Sequence, residues 1–351
     1  MHHRRQFTKA GMHPYAFASL LLLVWLTFAQ VTPARSRQVQ ELHHLAASGR
    51  TTPFFDFHSN FWVNLHQVLF HEAKLRAGKP DRGLQSAPPL SAAGMSKQDE
   101  VDWNAAVSFY AAHFRTRQQH GDDQLVQIND DLAEQPDDGA HLNPAGLPPE
   151  MVAALQSAAL IYRKYWWPAH NESNENWMAS RKEQVQDLGP KLASVMTRDL
   201  HQPWPAAPIR VDVCYYVVSL GYANTTLPPH ITFSGSDPSN QDLSGFELLF
   251  HEASHTFADT IMNALSAEAR AQHKDVGDLW HSLLFYTSGV ELRRLLPAPE
   301  QASFTPYAYR YGVYRGTWQE YRRVLETDWQ VYLDGKTSFQ TAIHSMVADL
   351  K

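Results

Sequence analysis

The sequence predicts an α+β fold that is mostly helical, and three observations predict it. Amphipathic stretches punctuated by Pro and Gly fill the chain up to about residue 200. Two runs rich in β-branched and aromatic residues follow, Ile209 to Ser219 and Pro229 to Ser234, and read as strands of a small sheet. From Leu243 to about Leu296 helix formers return. The expected organisation is a helical region over 36–200 and a second region over 201–351 that combines the sheet with further helices.

The first 35 residues are set apart. Arg4, Arg5 and Lys9 precede a nearly uncharged apolar run from Tyr15 to Val31, and small residues follow at Thr27-Phe-Ala29 and Thr32-Pro-Ala34. That is the layout of a secretory signal peptide, so the body of the protein is expected outside the cytoplasm, periplasmic or secreted. An uncleaved membrane anchor is the alternative, since an apolar run of about 17 residues is near the lower limit for spanning.

Phe61 to Glu72 has helical character, and a Pro/Gly/Ser-rich connection over 77–97 ends it. Asp99 to Gln119 and Gln124 to Glu134 read as two more helices. The acidic stretch Asp130 to Asp138 lacks the alternating Asp/Asn and Gly of a calcium loop and reads as a solvated turn. Pro148 and Pro149 open a helix that stops at Pro168, and another covers about 172–199. Beyond Leu296 the chain is irregular and Tyr-rich to Gly316, and two last helices span about 317–333 and 337–350.

Composition excludes several function classes. With 44% apolar and 19% charged residues the chain can bury a sizeable core. A net charge of −6 without a basic stripe argues against a nucleic-acid partner. Cys214 is the single cysteine, so no intrachain disulfide forms. Its setting among Val and Tyr residues predicts a buried, inert thiol.

The segment that carries chemistry is Ser244-Gly-Phe-Glu-Leu-Leu-Phe-His-Glu-Ala-Ser-His-Thr-Phe257. Ser244 and Glu247 have capping-box spacing, which predicts a helix start. His251 and His255 stand four residues apart on that helix, so both imidazoles project from one face and can share a metal. Glu252 lies beside them, placed to take a proton from a water activated by Zn2+.

A strand, a short loop and a helix bearing His251-Glu252-x-x-His255 resemble the zincin superfamily of zinc metallopeptidases. The resemblance implies that His251 and His255 are zinc ligands, that Glu252 is the general base, and that Ile231 to Ser234 is the edge strand pairing with an extended substrate. It covers some 70 to 90 residues. The sequence after His255, Thr-Phe-Ala-Asp-Thr-Ile, lacks a His-x-x-Gly-x-x-His continuation and departs from the metzincin branch. Asp259 continues the histidine face, as a partner orienting an imidazole or as a surface acid.

The third ligand is expected from the following helix, Asp275 to Leu296, which holds His281 and Glu291. If 256–272 is one unbroken helix and the chain folds back near residue 273, equal rise places Glu291 opposite His255. His281 would then lie about 15 Å away at 1.5 Å per residue. Glu291 is thus the expected ligand, matching the gluzincin pattern of two His and a Glu. His281 is the alternative if the first helix is broken. A Tyr from the run Tyr307 to Tyr314 could donate to an oxyanion. The expected function is an exported zinc metallohydrolase acting on a peptide or protein substrate. The rival is a helical envelope protein with a structural or vestigial zinc site acting as a binding module, its signature a closed site with a fourth protein ligand.

Overall fold

A computed structural model describes residues 52–76, 90–91, 94–118, 122–218 and 223–351. The leader expected over 1–35 lies outside them. All the described residues belong to one compact unit. The α+β, mostly helical architecture is as the sequence predicts.

The chain opens with strand β1 (Phe55–His58), followed by helices α1 (Phe61–Arg76), α2 (Lys97–His113), α3 (Asp123–Ala133), α4 (Pro149–Tyr165), α5 (Trp167–Asp187) and α6 (Gly189–Asp199). Strands β2 (Ile209–Cys214), β3 (Ala223–Thr226) and β4 (His230–Ser234) come next. The rest is helical: α7 (Asp242–Ser254), α8 (Asp259–Gln272), α9 (Leu279–Leu295), α10 (Ala298–Ser303), α11 (Tyr307–Arg310), α12 (Trp318–Val324), α13 (Gln330–Leu333) and α14 (Phe339–Asp349).

The four strands form one sheet in the order β1-β2-β4-β3, with β1, β2 and β4 parallel and β3 antiparallel to β4. Because β1 pairs with β2, the regions 36–200 and 201–351 share a single sheet. Alternation along β2 divides two cores. Ile209, Val211 and Val213 join Phe55, Phe57, Phe233, Phe246 and Phe250 beside the C-terminal helices. Cys214 is buried in the other core, with Phe61, Leu65, Tyr110, Leu155 and Tyr162 of the N-terminal helices. Each such large apolar side chain contributes about 1.5–3 kcal/mol when fully buried.

Helix α1 is buried all round from Phe61 to Lys74, so its polar residues must find partners within the protein. Asn60 accepts from the Trp62 and Val63 N–H groups. Asn64 donates to the Val213 carbonyl and accepts from the Tyr215 N–H, which fastens α1 to β2. His66 bridges α1 to α2 through Tyr110 Oη at 3.0 Å.

Three local expectations are corrected. The acidic stretch is no solvated turn: Asp130 pairs with His230 at 2.8 Å, and Asp137 pairs with His58 at 3.0 Å. Ser244 and Glu247 form no capping box, because α7 begins earlier, at Asp242, and both side chains are buried inside it. Strand β4 is paired on both sides, so Ile231 to Ser234 is interior and the edges of the sheet are β1 and β3.

Candidate metal centre

The described residues contain one group able to hold a metal ion, His251, His255 and His281, whose ligand atoms all lie within 4.8 Å of one another. His251 Nε2 is 3.2 Å from His255 Nε2 and 3.3 Å from His281 Nε2. Nitrogens bound tetrahedrally to one zinc at about 2.0–2.1 Å stand about 3.3–3.4 Å apart, so these two separations are compatible with that ion. Among themselves, converging imidazole nitrogens satisfy one another poorly, because a neutral ring offers one N–H and one lone pair. Burial, reinforced by the two neighbouring imidazoles, holds the His251 pKa well below its usual value. A neutral ring is the form a metal requires.

Helix α7 delivers His251, and His255 follows at its C-terminal end. The helix breaks there: His255–Phe257 is a 3-10 turn, and α8 restarts at Asp259. Gln202, from the connection between α6 and β2, accepts the Thr260 N–H at 3.0 Å and so helps fix the start of the new helix. Helix α8 then packs on α14, while α9 lies against α7 and α6. The register differs from that of a simple hairpin, and His281 in the first turn of α9 meets His251.

Glu291 is therefore not at the cluster. It lies ten residues beyond His281 on α9, about 15 Å along the axis. Its carboxylate accepts from Arg294 at 2.6 Å and faces Arg198 at 4.0 Å. Asp259 opens α8 and is exposed.

Glu252 is buried, 6% exposed, and its Oε2 accepts from Thr225 Oγ1 of β3 at 2.6 Å. Burial pushes its carboxyl up to about 7, against the pull of the Thr225 hydrogen bond. One turn before His251, Glu247 is fully buried, and burial raises it to about 8 although it accepts the Tyr307 N–H at 2.8 Å. That bond ties the Tyr-rich segment to the histidine helix. Tyr307 Oη lies 3.2 Å from Ser239 Oγ; burial raises its phenol, and the Glu252 charge adds to this.

Aromatic rings surround the cluster. Phe285 stacks on His251, Trp280 stacks on His281, and Trp318 meets His281 edge-on. Thr225, Trp280 and Trp318 escaped the sequence reading, although Trp280 adjoins His281 in the chain. An open groove of about 540 Å3 bordered by Glu172, Asn176, Tyr215 and Gln241 shares no residue with the histidines.

No protein-family description, curated protein or solved structure matches the chain.

Proposed function

We propose that the chain is an exported zinc hydrolase acting on peptide bonds, with the metal held by His251, His255 and His281. The observation that carries this reading is the convergence of three imidazole nitrogens, two of them from residues that flank a buried Glu252 along the chain. Zn2+ in such a donor set lowers the pKa of water and polarises a carbonyl. Glu252, whose Oε2 accepts from Thr225 Oγ1, would take a proton from water and return it to the leaving nitrogen. A carboxyl near neutrality suits both halves of that task. Strand β3 supplies Thr225 and, as an edge of the sheet, offers main-chain groups to an extended peptide. The basic start and apolar run of the N-terminal sequence support export. No helix among the described residues is long and apolar enough to cross a membrane.

A closed structural site would bring a fourth protein ligand to the metal. Among the described residues the cluster gathers three, and this favours the hydrolase over the binding-module reading. The test is elemental analysis of residues 36–351 together with Glu252→Gln and His255→Ala. About one zinc per chain should persist in Glu252→Gln with hydrolysis of a peptide panel abolished, and His255→Ala should lose both. Equal zinc loss in the two variants would make Glu252 structural and end the mechanism.

A further inference from the structure

We infer that Trp280 and Trp318 select substrates with a large apolar, preferably aromatic, side chain beside the scissile bond, an inference that rests on the hydrolase reading and deepens it. Aromatic rings pack against all three histidines. Trp280 immediately precedes His281 on α9 and stacks on it, with centroids 5.2 Å apart and planes 23° from parallel. The same indole meets His255 edge-on at 5.6 Å. Trp318, the first residue of α12, approaches His281 edge-on at 5.2 Å and Phe285 at 6.3 Å. Phe285 in turn lies flat on His251.

The burial of these rings differs in a telling way. Phe285 is 8% exposed and Trp329, deep in the same core, is 0% exposed. Trp280 and Trp318 are half-buried, as are His255 and His281. Two tryptophans that pack against the histidines therefore keep part of their surface open to solvent. An indole used for core packing alone would be covered like Trp329. Glu252 of α7 and Thr225 of β3 are joined by a hydrogen bond of 2.6 Å. A peptide whose carbonyl lies at the histidines would bring a flanking side chain next to the indoles that pack on them. A side chain reaching the indoles gains by leaving water and stacking on aromatic faces, and a charged one there loses hydration.

The test uses the full mature chain with Glu252→Gln, which separates binding from turnover. The probes are blocked pentapeptides, acetyl-Ala-Ala-Xaa-Ala-Ala-amide with Xaa as Phe, Leu, Gly, Asp or Lys, titrated by calorimetry with zinc content measured in parallel. The Phe and Leu peptides should bind about 10-fold or more tighter than the Gly and Asp peptides. Adding Trp280→Ala or Trp318→Ala should collapse that ratio toward unity at unchanged zinc content. Trp280→Phe and Trp318→Phe, gentler on packing, should retain most of it. Equal affinities across the panel in zinc-loaded protein would overturn the specificity and leave the hydrolase reading intact. Discrimination that survives both alanine variants would overturn it as well. Protein that takes up no zinc yet prefers Phe, with the preference lost on removing the indoles, would support the apolar site and sink the hydrolase reading.

Discussion

Replacing His281 and Glu291 in parallel separates a metal ligand from a structural acid. Two Nε2–Nε2 separations of 3.2 and 3.3 Å match tetrahedral sharing of one ion, and both involve His251. Removing a group that only orients a ligand costs about 10–100-fold in metal affinity. Removing a ligand should cost at least the upper figure, so His281→Ala is expected to weaken zinc by about 100-fold or more, roughly 2.8 kcal/mol. Glu291 behaves otherwise. Burial and the nearby Asp199 raise its carboxyl, and Arg294 and Arg198 offset this only in part. Arg294 is also partly exposed and keeps Asp334 and the Leu333 carbonyl as partners. Glu291→Gln should therefore cost no more than about 1 kcal/mol of stability and leave zinc affinity unchanged. The assay is competition with a chromogenic chelator, alongside thermal unfolding of each apo-protein. Zinc lost from Glu291→Gln and retained by His281→Ala would refute the ligand assignment.

Two further predictions concern the frame. Gly245→Ala on α7 would place a Cβ 2.0 Å from the Asn240 carbonyl oxygen, a backbone atom with little room to move; chemical denaturation should show a loss of about 3 kcal/mol or failure to fold, and wild-type stability would refute the packing. His58 is lowered by burial, but its hydrogen bonds to Asp137 and Asp56 outweigh this and raise it to about 9. Its stabilising contribution, on the order of 3 kcal/mol, is complete below about pH 6.5 and fades as pH rises through about 9. Urea unfolding at pH 6.5 and 9.5 should show that loss in the wild type and little of it in His58→Gln; parallel pH profiles would refute it.

The legible part of the site was local. The spacing of His251 and His255 depends on one helical turn, and neighbouring residues fix that turn. The third member of the histidine cluster depended on whether the chain stays helical through residues 256–258, and one contributor to the break there is Gln202, which binds Thr260 from 58 positions away along the chain. No periodicity within the helix itself carries that information. Strand β1, Phe55-Asp-Phe-His58, and strand β3, Ala223-Asn-Thr-Thr226, are four residues each, too short for alternation to stand out. Asp130 read as solvated because its partner His230 lies 100 residues on, in a strand whose position only the folded sheet defines.

The pairing of β1 with β2 bears on how this protein can be divided. A fragment beginning at residue 201 would keep all three histidines and Glu252, and by sequence it looks like a self-sufficient catalytic half. It would leave the full edge of β2 unpaired and remove Phe55, whose ring packs edge-on against Phe250 one residue before His251. The residues that would bind the metal and a residue that helps hold their helix in place thus lie about 200 positions apart along the chain. Truncation, domain exchange or circular permutation that separates residues 55–58 from the C-terminal half should cost metal affinity without touching a ligand.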